Sequence, residues 1–152
     1  MVRQVRLNPR RRIDYDRREG GKWTLEIILV NAGGTTAHVE FCKASFQMYG
    51  EKWEGPTDDL GFGNWDQTFQ LPPSQRHTLE ITLDENSLRA ELYSIECNFE
   101  LTATQTQWPI CQGTIFYKDD NGMERETGFA RGWSVKREQF IAAGDSATEY
   151  QD

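Results

Sequence analysis

Alternation at a period of two, cut into short runs by turn-forming residues, is what most narrows the folds open to this chain. In Trp23-Thr24-Leu25-Glu26-Ile27-Ile28-Leu29 the residues Trp23, Leu25, Ile27 and Leu29 fall on one side of an extended backbone. The run stops at Asn31-Ala32-Gly33-Gly34-Thr35-Thr36, where glycines supply the positive φ of a tight reversal. Ala37 to Met48 reads as a longer strand. Its alternation slips between Val39/Phe41 and Ala44/Phe46/Met48, which predicts a bulge near Cys42 or Lys43.

Leu71-Pro72-Pro73-Ser74 announces a further strand, Arg76 to Leu83, with Leu79, Ile81 and Leu83 inward; proline lacks the ladder donor and so stands outside it. Tyr93-Ser-Ile95-Glu-Cys97-Asn-Phe99-Glu-Leu101 is the cleanest alternation present and predicts a central strand with one wet face. Gly113–Tyr117 and Glu126–Trp133 flank Lys118-Asp-Asp-Asn-Gly122, a hairpin signal. Only Asp84 to Leu92 suggests a helical turn, with Leu88 and Leu92 four apart. The expected fold is an all-β antiparallel sandwich of about seven to nine strands, its core anchored by 23–30, 79–83 and 93–101.

A length of 152 residues suits one domain that buries a core without disulfides or metal. No run reaches the roughly 18 apolar residues of a spanning helix, and residues 1–19 lack the apolar middle of a secretory signal. Those residues hold seven arginines against three acids, a net +4, so the rest of this −7 chain carries −11. An acidic body disfavours binding to a phosphate backbone, and no nucleic acid is expected as partner. The expected organisation is a basic arm at 1–19, a sandwich at 20–141 and a disordered acidic tail at 142–152. The arm, through Arg10, Arg11 and Arg12, either is solvated or touches an anionic surface such as a membrane.

Three patterns occur in order: Asn31-Ala-Gly33-Gly34-Thr35-Thr36-Ala37, then Leu71-Pro72-Pro73-Ser74, then Gly113-Thr-Ile-Phe-Tyr117-Lys-Asp119-Asp120-Asn-Gly122 followed by Thr127-Gly128-Phe129. In these the chain resembles a loosely defined family of uncharacterised bacterial proteins with an immunoglobulin-like β-sandwich, over roughly residues 22–133. The resemblance implies that fold and carries no chemistry. Ser74 stands where the family step has glycine, and Ala130 where the last hairpin strand often has cysteine. Family members often carry membrane-spanning helices ahead of this domain, which would set the arginines beside a membrane, on its cytoplasmic side.

The residues offer little for catalysis, and no enzyme activity, cofactor or metal is expected. Cys42 and Cys97 lie 55 apart, similar to the disulfide spacing of antibody domains, but buried free thiols are the favoured reading. Asp119-Asp120-Asn121-Gly122 with Glu124 has a faint likeness to a calcium loop and is better read as a turn. Asp58-Asp59 have no evident partner, and His38 and His77 lack a nucleophile's context.

Residues 49–65 are expected to form a long, glycine-broken loop bearing Tyr49, Trp53, Phe62 and Trp65. Its aromatics either recognise a ligand, with Trp53, Phe62 and Trp65 as the contact residues, or fold back as a lid. The expected function is a non-catalytic binding or sensing module that engages a protein partner or a second copy of itself. A carbohydrate-binding module using the same aromatics is the alternative. The cytoplasm, at the membrane face, is the expected location.

Overall fold

The computed structural model describes residues 2–8, 23–50, 55–83 and 85–143, with the backbone alone described for 2–8 and 85–87. Nine strands and one helix occur among them, in two antiparallel sheets that face each other. The smaller sheet runs β1 (Val2–Asn8), β2 (Thr24–Val30), β6 (Arg76–Thr82). The larger runs β4 (Pro56–Trp65), β3 (Ala37–Tyr49), β7 (Trp108–Lys118), β8 (Glu124–Ser134), β9 (Gln139–Ala142), and β5 (Phe69–Leu71) pairs with the start of β3. The fold is therefore a β-sandwich, as the alternation and turn spacing predict.

The core is built from the period-two faces. Trp23, Leu25, Ile27 and Leu29 meet Leu79, Ile81 and Leu83 from the smaller sheet. Cys42, Ala44, Phe46, Met48, Cys111, Ile115 and Phe129 come from the larger one. The slip of β3 is a register shift between Val39 and Phe41 against β7, so the inward positions change from Val39 to Cys42. The bulge predicted near Cys42 lies at Glu40, just ahead of it. Two more shifts, at Phe46/Gln47 and Met48/Tyr49, fit β3 to β4.

Three expectations need correction. Residues 93–101 are not a strand: with 85–92 they form α1 (Glu85–Thr102), and the predicted short turn is an 18-residue helix. Leu88, Leu92 and Ile95 make its buried stripe at helical spacing. A period-two pattern wound onto a helix cannot all face inward, and Tyr93 and Leu101 are left exposed. The helix stops at Ala103, whose φ of 54° and amide bond to the Phe99 carbonyl form a left-handed cap. α1 is seated by Arg89, which lies over the Trp23 ring, while Glu91 lies near the like charge of Asp58 on β4.

The second correction is β4, which occupies most of the expected loop 49–65. Its glycines are points of close approach inside a strand. A Cβ at Gly61 would meet Ile81 at 2.9 Å and Leu83 at 3.1 Å, so glycine lets this edge strand lie against β6. The third concerns the basic arm. Val2–Asn8 is paired with β2, Val5 opposite Ile27 and Leu7 opposite Leu25, while Arg10, Arg11 and Arg12 fall outside the described residues. The expected tail overlaps β9 only at Ala142, and from 144 onward it too lies outside them.

Candidate functional site

Phe62 is the residue that the fold leaves most conspicuously unspent. It sits within β4, opposite Ser45 of β3, and is 77% exposed. The bare backbones of Gly61 and Gly63 flank it, so neither neighbour covers the ring. Ser45 in turn stands opposite Gln112 of β7. In the next row Asn64 faces Lys43, Lys43 faces Thr114, and Thr114 faces Gly128 of β8. Two rows of side chains thus cross the outer face of the larger sheet, and between them runs a shallow groove of about 520 Å³.

Beside the ring the groove presents the polar side chains of Lys43, Ser45, Asn64, Gln112 and Thr114. Gln112 donates from Nε2 to the Tyr49 hydroxyl at 2.7 Å, which fixes the carboxamide along the sheet. The Lys43 ammonium lies 5.6 Å from the centre of the Phe116 ring, and Phe116 packs on Phe41 with centroids 5.9 Å apart. Farther along, Lys118 donates to Glu40 at 2.7 Å, and that carboxylate foremost holds the ammonium above its ordinary pKa.

Phe62 and Trp65, three apart on one strand, point to opposite faces. The Trp65 ring lies over Gly63, where a side chain would collide with it, and packs against the core. The structure does not bring Trp65 together with Phe62. Trp53 lies outside the described residues. Lys43, Asn64 and Gln112 were missed because only register reveals that they share a face with Phe62.

The other candidates resolve into structural roles. Cys42, Cys97 and Cys111 are free thiols; Cys42 and Cys111 are buried, while Cys97 is half-buried on α1 rather than inward on a strand. Asp119 accepts the amides of Asn121 and Met123 at 2.9 and 3.0 Å and faces Arg125 at 3.5 Å. Those donors, the Met123 amide foremost, hold its carboxyl below the usual range, and the segment is a turn closed at Gly122, φ 76°. His38 pairs with Asp120 at 3.1 Å, and His77 stacks on Phe69 at 3.9 Å.

Asp59 accepts a hydrogen bond from Gln47. Glu91 has its carboxyl raised by burial and then by the nearby charge of Asp58. Among the described residues no group of three or more His, Cys, Asp or Glu is placed to hold a metal ion, and no helix is long and apolar enough to cross a membrane.

No family model and no curated protein matches the chain. Among solved structures it is similar to a crystal structure of a protein from Archaeoglobus fulgidus, at 12% identity and a TM-score of 0.42, over 95% of this chain and 99% of that one.

Proposed function

We propose that this chain is a non-catalytic binding module whose recognition surface is the outer face of the larger sheet around Phe62, and whose partner is another protein. The observation that carries this reading is the exposure of Phe62 at mid-strand. Covering such a ring is worth roughly 1.5–3 kcal/mol, which a partner regains on docking. Lys43, Ser45, Asn64 and Gln112 around it match the polar rim about an aromatic centre that protein interfaces use. β4 itself is a poor template for added strands, because Pro56, Asp58 and Asp59 blunt its edge. Side-chain docking on the face is thus favoured over sheet extension.

Two finer points belong to the same proposal. The sheet orders β1-β2-β6 and β4-β3-β7-β8 support an immunoglobulin-like sandwich, with α1 inserted where the chain passes from β6 to β7. The arginines at 10–12 support placement of the domain beside an anionic membrane face.

A second reading, glycan binding, is supported by two carboxamides and two hydroxyls in the groove beside the ring: Asn64, Gln112, Ser45 and Thr114. A photo-crosslinking residue at position 64, tried in the source organism with and without Phe62→Ala, decides between them. Capture of one protein that vanishes with the substitution supports the first reading. Phe62-dependent retention on a glycan array moves the assignment to sugars, and indifference of both assays to Phe62→Ala overturns this surface.

A further inference from the structure

One end of the sandwich is plugged and the other is hollow. α1 runs from the end of β6 to the start of β7, and its Leu88, Leu92 and Ile95 enter the core at that end. At the opposite end the chain turns at 31–36, 71–75 and 119–123, and a cavity of about 590 Å³ lies between the sheets. That size falls within the range of small-molecule sites, roughly 300–1,000 Å³. Leu29, Val39, Leu71 and Ile115 give it a buried apolar wall, and Tyr117 and Arg125 stand on the hairpin side.

The polar groups at this end are unequally spent. Asp119 is committed to the amides of Asn121 and Met123, and Asp120 to the Thr36 amide and His38. Arg125 approaches Asp119 at 3.5 Å, beyond a good hydrogen bond, with a fork of five donors to offer.

We propose that this cavity binds a small amphiphilic carboxylate, its apolar chain on Leu29, Val39, Leu71 and Ile115 and its carboxylate on the guanidinium of Arg125. The site is independent of the groove at Phe62. An anion is selected because Arg125 commits one nitrogen to a 3.5 Å ion pair with Asp119, whose hydrogen bonds come from the Asn121 and Met123 amides, and the rest of its five-donor fork stands at the cavity. The chain is selected because the wall carries no charge.

The test is a titration of the full chain with octanoate, octan-1-ol and octyltrimethylammonium, followed by amide NMR shifts. Octanoate should move the signals of Val39, Ile115 and Arg125 saturably and bind more tightly than the alcohol. Arg125→Gln should weaken octanoate about tenfold or more and remove its advantage over the alcohol, since a charge-assisted hydrogen bond is worth that much. If Arg125→Gln loses its dispersed spectrum, Arg125→Lys and the comparison of ligands on the wild type take its place. Equal binding of the ammonium compound, or shifts confined to other residues, overturns the proposal.

Discussion

The side-chain amide of Asn31 donates at 2.7 Å to the carbonyl of Leu71, forty residues farther along the chain, inside the hollow end of the sandwich. The same Nδ2 reaches the Thr35 carbonyl at 2.7 Å, and Oδ1 accepts the Gly33 amide at 2.9 Å. Backbone bonds from Asn31 to Gln75 and from Ser74 to Asn31 complete the bracket. One residue thus shapes its own turn and ties it to the next.

Asn31→Ala should therefore cost about 2–3 kcal/mol, because it leaves the buried Leu71 carbonyl and two turn groups short of partners. Urea denaturation measures it through the midpoint at unchanged slope. Asn31→Asp should also destabilise, since it removes both donated bonds. A loss below about 0.5 kcal/mol for the alanine variant would show that water replaces the bracket at no cost.

The Asn31 turn was legible because its chemistry is local, and so were the strands whose inward faces alternate. What went astray needed information that lies across the sheet. Residues 93–101 satisfy period two through Tyr93, Ile95, Cys97, Phe99 and Leu101, yet Leu88, Leu92 and Ile95 also satisfy the helical period. The helix signal was present: no glycine or proline falls between 85 and 102, and glutamate, leucine and alanine are good helix formers. In β4 the glycines read as breaks because a sequence does not show Ile81 behind Gly61 or the Trp65 ring over Gly63. Of the three aromatics expected to act together, two are described, and strand parity alone would have set Phe62 and Trp65 on opposite faces once β4 was recognised.

Ser74 occupies the third position of a turn closed by the Gln75 amide on the Pro72 carbonyl at 3.1 Å, with φ of 64°. That left-handed position is one that glycine adopts without the steric penalty of a Cβ. Ser74→Gly should raise stability by roughly 0.5–1 kcal/mol, the relief of strain being partly offset by the freer unfolded chain. Thermal unfolding should show a gain of a few degrees. A lowered midpoint would mean that the serine side chain contributes more than its backbone conformation costs.

The thiols should separate by burial. Desolvation pushes Cys42 up to about 12 and drives Cys111 higher still, so neither offers a thiolate at neutral pH. Cys97 is half-buried on α1. A disulfide-exchange reagent such as Ellman's should react with Cys97 in the folded protein and with Cys42 and Cys111 only after denaturation. Cys97→Ser should abolish the early phase. An early phase that persists in that variant, or that needs prior reduction, would contradict the assignment.

His77 supplies a pH dependence whose direction follows from its setting. Its ring stacks on Phe69 at 3.9 Å with planes 21° apart, and burial lowers its pKa below the ordinary 6.5. As pH falls the unfolded chain therefore takes up this proton first, and acid favours unfolding. The contribution is intact above about pH 6.5 and is lost as pH falls through that value toward the lower pKa of the folded state. Urea midpoints at about pH 7.5 and about pH 5.5 should show the wild type losing more stability than His77→Phe, which keeps an aromatic ring for Phe69 and carries no titrating nitrogen. Equal losses in the two proteins would remove His77 as the source. A larger loss in the phenylalanine variant would reverse the sign, and would mean that the protonated ring is stabilised in the folded state by a group stronger than the desolvation opposing it.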